Sequence, residues 1–129
     1  VAQVQYSGWA LTNRCRVLAA LTRLGVPPAF PDRIDCEHIT RAYPDTTAPA
    51  PARARIVGVA TGARVQALVA EVCGTTARPD GRVYHITYSL AEGAAPVESN
   101  DLLADPRADV HRIGPIPITT TPFLRTVKD

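Results

Sequence analysis

The chain has 129 residues, 46% of them hydrophobic and 20% charged, with a formal net charge of +2 and a pI near 8.6. That length supports one domain, 1–129, with a core of its own, and the ordinary apolar-to-charged balance excludes an acidic or basic disordered tail. No apolar run reaches the roughly 18 residues of a membrane span, residues 1–11 lack a secretory signal pattern, and so mild a positive charge makes no case for nucleic acid by itself.

In chain order, residues 4–11 (VQYSGWAL) are aromatic and apolar enough for a strand, and Thr12 stands where a helix cap belongs. Val17, Leu18, Leu21 and Leu24 then recur at helical spacing with Gly25 just beyond, which predicts a helix over 13–24. Pro27, Pro28 and Pro31 make the next loop, 34–43 (IDCEHITRAY) reads as a strand, and the Pro-rich 44–51 as a surface connector. Two strands follow over 53–60 and 64–73 with Gly62 at the turn, then a Pro79-Asp80-Gly81 turn and a strand over 82–90. A short helix is expected over 96–104, capped by Ser99 or Glu98, and a Pro-tolerant edge strand over 113–124. This order is an α+β pattern with mostly antiparallel strands.

The sequence begins without Met and contains none, so a trimmed chain or fragment is expected. Lys128 is the one lysine among the basic residues. A GC-rich coding bias accounts for the excess of arginine, whose fork also suits phosphate. Cys15, Cys36 and Cys73 are an odd set with no C-x-x-C, which predicts free thiols and a cytoplasmic location.

The chemistry lies in an internal echo. His38-Ile39-Thr40 recurs as His85-Ile86-Thr87, each copy on a segment read as a strand and too far apart to be hairpin partners. Strand alternation puts His38 and Thr40 on one face and Ile39 on the other. It likewise puts His85 and Thr87 opposite Tyr84, Ile86 and Tyr88. Each copy offers an imidazole and a hydroxyl together, backed by an apolar residue fit for a core. If the two strands face each other across a cleft, the four groups converge on a point suited to a phosphate. One imidazole takes the nucleophile's proton, the other protonates the leaving oxygen, and the hydroxyls hold non-bridging oxygens. A single H-x-T triplet carries little, since a lone strand histidine is more often structural; the pairing is what carries weight.

These triplets, within EHITRAY and YHITYSL, resemble the paired H-x-T/S signatures of the two-histidine (2H) phosphoesterases. The stretch HITYSLAEGAAPVESNDLL is similar to the second-motif region of cyclic phosphodiesterase domains in fungal and plant tRNA ligases and bacterial RNA-repair-like relatives. RIVGVATGARVQALVAEVCG resembles the strand pair between their motifs, so the likeness covers about 6–103. The resemblance implies a bilobal fold, two antiparallel sheets flanking a central cleft, with His38 and Thr40 from one lobe and His85 and Thr87 from the other. It also implies 2′,3′-cyclic phosphates of RNA ends or nucleotides as substrate. Arg41 departs from the pattern, where an apolar residue is usual; it points to the core face, which requires an edge strand or a snorkelling side chain.

Of the aromatics Tyr6, Trp9, Tyr43, Tyr84 and Tyr88, Tyr43 is the preferred base-stacking candidate. Ser89 continues the face of His85 and Thr87 and is a second substrate-binding candidate. Cys36, His38, His85 and the third histidine, His111, lack metal-site spacing, so no metal or other cofactor is expected, and His111 is expected to be exposed. Asp101 and Asp109 show no acid–base pairing, and the glycines form no phosphate loop. The reading is a metal-independent 2′,3′-cyclic phosphodiesterase in RNA repair or processing. Its partners are RNA 2′,3′-cyclic phosphate ends or cyclic nucleotides, with no membrane partner and a monomer by default. The resemblance suggests His85 as base, His38 as acid and a 2′-phosphate product, though the two motifs are too alike to decide the roles. The alternative is a catalytically weak RNA-end or nucleotide binding module within a larger RNA-repair assembly.

Overall fold

The computed structural model describes residues 4–127; Lys128 lies outside them. Within that range the elements run β1 (Gln5–Leu11), α1 (Arg14–Arg23), β2 (His38–Ala42), β3 (Ala54–Thr61), β4 (Val65–Val72), β5 (His85–Leu90), α2 (Glu98–Ala104), β6 (Val110–Ile118) and β7 (Thr120–Thr126). They form two antiparallel sheets, one of three strands in the order β2-β1-β7 and one of four in the order β5-β4-β3-β6. The α+β class and the antiparallel pairing follow the sequence pattern. Among the described residues no helix is long and apolar enough to cross a membrane.

Alternating burial builds the core. Val17 and Leu21, four apart on α1, are fully buried, and α1 packs against β6. Trp9, Ile39, Ile56, Leu68, Ile86 and Tyr88 join them in one cluster drawn from both sheets. Burying each large side chain contributes about 1.5–3 kcal/mol. All six residues of β5 are buried although it ends its sheet. The reason is the chain just before β2, which covers its open edge. Leu90 N–H donates to the Arg33 carbonyl, Asp35 N–H to Tyr88 at 2.9 Å, and Cys36 N–H to Thr87 at 2.8 Å.

One residue then carries the chain from one sheet to the other. Cys36 lies in the left-handed region at φ 56. Its N–H bonds to β5, whereas the next carbonyl, of Glu37, accepts from Leu11 on β1. The strand expected over 34–43 therefore begins only at His38, with Ile34 left as an isolated bridge to Ser89.

Other boundaries move for local reasons. The strand expected over 82–90 starts at His85, because Val83 bridges back to Ala77. The single strand expected over 113–124 is two, β6 in the larger sheet and β7 in the smaller, with the crossing at Thr119. That crossing also occupies the predicted cap. Asn13, not Thr12, holds the N-cap position of α1, and no side chain caps the helix. Asn13 Oδ1 accepts from Thr119 N–H at 3.1 Å, and the Thr12 and Thr119 hydroxyls meet at 2.6 Å. Val97 holds the N-cap position of α2; Ser99 does not cap it, and Glu98 Oε2 accepts from Ala95 N–H at 2.7 Å. Gly25 and Gly81, at φ 78 and 86, end α1 and close the Pro79-Asp80-Gly81 turn as their positions suggested. All three cysteines are unpaired.

Candidate active site

β2 and β5 approach each other where the sheets meet. A cavity of about 500 Å³ opens there, lined by His38 and Thr40 from β2 and by His85 and Thr87 from β5. Its volume suits a small ligand. Both H-x-T pairs thus line one space, and the intervening Ile39 and Ile86 are fully buried on the opposite face.

The two imidazoles are held differently. His85 is nearly buried, and its Nδ1 lies 3.0 Å from the Val83 carbonyl oxygen. A carbonyl only accepts, so Nδ1 carries the proton and the neutral ring keeps a lone pair on Nε2. Burial pushes the His85 pKa below the ordinary imidazole value, and Arg78 and Arg82 push it the same way against the Val83 bond. Burial also lowers His38, but the Glu37 carboxylate opposes that, while Arg125 and His85 add to it. His38 Nδ1 lies 3.7 Å from Glu37 Oε1, and Arg125 forms a short ion pair with the same carboxylate oxygen. Phe123 sets the ring edge-on at 5.5 Å and is itself capped by the Arg125 guanidinium at 4.1 Å. Burial likewise raises the half-buried Asp35 carboxyl at the cavity wall, aided by Glu37 and opposed by Arg14, Arg125 and Arg33.

The hydroxyls also have distinct supports. Thr87 Oγ1 meets the fully buried Ser99 Oγ at 2.9 Å and reaches the Pro96 carbonyl at 3.4 Å. With Ser99 as donor, the one Thr87 proton is left to the long contact with the Pro96 carbonyl, and a ligand oxygen would have to take it from there. Thr40 is set by a close backbone approach. Gly8 on β1 pairs with it beside a bulge, and a Cβ at Gly8 would collide with the Ile39 carbonyl and lie 3.0 Å from Thr40 Cα. Tyr43 lines the cavity with its ring half exposed, 5.8 Å from the ring of Tyr6, which lies 6.1 Å from that of His38. The lining also includes the exposed Val97.

Ser89 is a correction. It shares a face with His85 and Thr87 but is fully buried outside the cavity lining. Its hydroxyl donates to Gln66 Oε1 at 2.7 Å and accepts from Phe30 N–H at 3.2 Å, so it pins the Pro-rich loop after α1 and is not free to meet a ligand. Trp9, Tyr84 and Tyr88 are core residues; Tyr88 donates to the Val26 carbonyl at 2.9 Å and Trp9 Nε1 to Ala50 at 3.0 Å. Arg41 lies on an outer strand and reaches Asp45 at 3.2 Å, which reconciles a cation with the core-facing side of β2. Cys36 and His38 do not share a strand face, because the strand starts after Cys36, and burial pushes the Cys36 thiol up to about 12. His111 sits exposed on β6 beside Asp109. Among the described residues no three His, Cys, Asp or Glu side chains gather as a metal site.

Among the lining residues that escaped the sequence reading are Arg78 and Asn100. Among the described residues, the buried side-chain nitrogens and oxygens without a hydrogen-bond partner are His38 Nδ1, Arg78 Nε and Asn100 Oδ1. All three belong to residues lining this cavity. Such atoms are rare in folded proteins, and their gathering at one cavity marks it as a place of function. Arg78 had only turn chemistry around it in sequence, and Asn100 only a place in an expected helix. No protein family, curated protein or solved structure matches this chain.

Proposed function

We propose that the chain is a two-histidine phosphoesterase that opens 2′,3′-cyclic phosphates of RNA ends or nucleotides without a metal, in RNA repair or processing. The observation that carries this reading is one cavity lined by two imidazoles and two hydroxyls, one of each from either sheet. In this reading the two sheets are the lobes of a bilobal fold, and the cavity is the cleft between them.

The difference between the imidazoles supports a division of labour. His85, with Nε2 unprotonated and cations nearby, takes a proton from the attacking water. His38, with a carboxylate beside Nδ1, donates a proton to the departing ribose O3′. The water oxygen bonds to phosphorus, the bond from phosphorus to O3′ breaks, and a 2′-phosphomonoester results. Thr40 and Thr87 donate to the non-bridging oxygens, with Ser99 orienting Thr87. Tyr43 offers a face to the base.

The test is hydrolysis of 2′,3′-cyclic mononucleotides. His38→Ala and His85→Ala should each lower turnover by about 100-fold or more while keeping the fold, and chelator should leave the wild-type rate unchanged. Full activity in either variant contradicts the mechanism. Activity lost in chelator and restored by zinc contradicts the metal-free reading.

A further inference from the structure

The turn before β5 is exposed from Cys73 to Arg82 with one exception: Arg78 is buried, its side chain only 2% exposed. A guanidinium is costly to bury, and this one has a single carboxylate partner, Asp80, at 2.8 Å. Its Nε proton has no partner among the described residues. Asp80 also accepts from Arg82 N–H at 3.0 Å, and the Arg78 N–H donates to the Arg82 carbonyl at 2.8 Å, so the turn holds both arginines at one end of β5. Both line the cavity; Asp80 does not, and Asp35 is the one carboxylate in the lining. His85 opens β5 at that end and Thr87 lies further along the strand, so the arginines flank His85 on the side away from Thr87. A phosphate between the two imidazoles already has hydroxyl donors, which leaves a fixed, partly unsatisfied cation for a different anion.

We propose that Arg78, with Arg82 at the rim, forms a second anion subsite of this cavity, taking a phosphate on the 5′ side of the ribose whose cyclic phosphate is opened. This inference rests on the phosphoesterase reading. The subsite selects a terminal nucleotide bearing a second phosphate over a bare nucleoside cyclic phosphate, through charge-assisted and bidentate bonds that arginine is suited to make.

The experiment is calorimetric titration of the protein with three product-like ligands: adenosine 2′-monophosphate, adenosine 2′,5′-bisphosphate, and the dinucleotide ApA ending in a 2′-phosphate. In the wild type the second phosphate should tighten binding about tenfold or more. A gain with the bisphosphate alone marks a terminal phosphomonoester as the natural occupant, and a gain with the dinucleotide alone marks an internucleotide diester. Arg78→Gln should bring the ratio to near one, and Arg78→Lys should retain part of it. Arg82→Gln, at an exposed position, should reduce the ratio and keeps the test open if Arg78→Gln does not fold. A ratio near one in the wild type, a ratio that survives both glutamine variants, or an equal loss for all three ligands overturns the subsite. Hydrolysis of adenosine 2′,3′-cyclic phosphate, which lacks the second phosphate, separates the two readings: turnover with a ratio near one sinks the subsite alone. A ratio that depends on Arg78, with no turnover of adenosine 2′,3′-cyclic phosphate or of ApA ending in a 2′,3′-cyclic phosphate, sinks the phosphoesterase alone.

Discussion

Two imidazoles in one cavity perform acid–base chemistry only if their protonation states differ. Burial holds both His38 and His85 below the ordinary imidazole value, so the doubly neutral form dominates the free protein above about pH 6.5. The active form needs a neutral His85 and a protonated His38. The profile of kcat/KM against pH should therefore be a bell whose maximum lies on the acid side of about 6.5. A maximum above pH 8 contradicts the assignment of both protons to these rings. Ser99 supplies a second test. Ser99→Ala should lower turnover about tenfold by freeing the Thr87 hydroxyl, and should cost little more once Thr87→Val is in place. Equal, additive losses would mean that Ser99 acts elsewhere. At this scale the echo of H-I-T was legible because strand alternation alone ties His to Thr. Ser89 was misread because alternation gives the face of a side chain and not what covers it, here Gln66 and the loop at Phe30. Arg78 was invisible because nothing in a Pro-Asp-Gly turn says that its neighbour folds inward.

Among elements, the placement of β2 matters most. It rests on the left-handed turn at Cys36 and on the close passage of β1 at Gly8. Gly8→Ala should destabilise the protein by about 1–3 kcal/mol through backbone overlap with Ile39, read as a lowered urea midpoint, and should lower activity by displacing Thr40. An alanine variant as stable and active as wild type would show that β1 and β2 can part without consequence. The order of strands and helices could be read from period and turn residues. Their ends could not, because they depend on distant partners. The chain over 33–36 pairs with β5 before it pairs with β1, and the Asn13 side chain bonds to Thr119 rather than capping its own helix. The Pro-rich end looked like one edge strand because both β6 and β7 tolerate proline; that the chain changes sheets at Thr119 is a tertiary event without a local signal.

For the molecule as a whole, a cavity between two sheets is a place where stability and function oppose each other. Three buried polar atoms there lack partners among the described residues, and burial dehydrates the two imidazoles. A histidine whose pKa is lowered by folding binds its proton more readily when unfolded. Its contribution to stability is therefore complete above about pH 6.5 and is lost as pH falls below that value. The Asp35 carboxyl, raised by burial, works in the opposite sense as pH falls towards the carboxylate range. The melting temperature should drop between pH 7 and 5.5, and the His38→Ala/His85→Ala double variant should flatten that slope. A wild-type slope unchanged in the double variant would assign it to other groups. The α+β class and the antiparallel pairing were legible in the sequence pattern, whereas the division into two sheets came only from the resemblance, and the meeting of β2 and β5 has no local signal, since it depends on which edges the sheets present to each other.

The most direct test of the central claim is phosphorus NMR of the protein with a 2′,3′-cyclic mononucleotide in chelator, beside the His38→Ala/His85→Ala variant. The wild type should convert the cyclic phosphate signal to that of a 2′-phosphomonoester, and the variant should leave it unchanged. A cyclic phosphate left intact by the wild type, or opened equally by both, would contradict the claim.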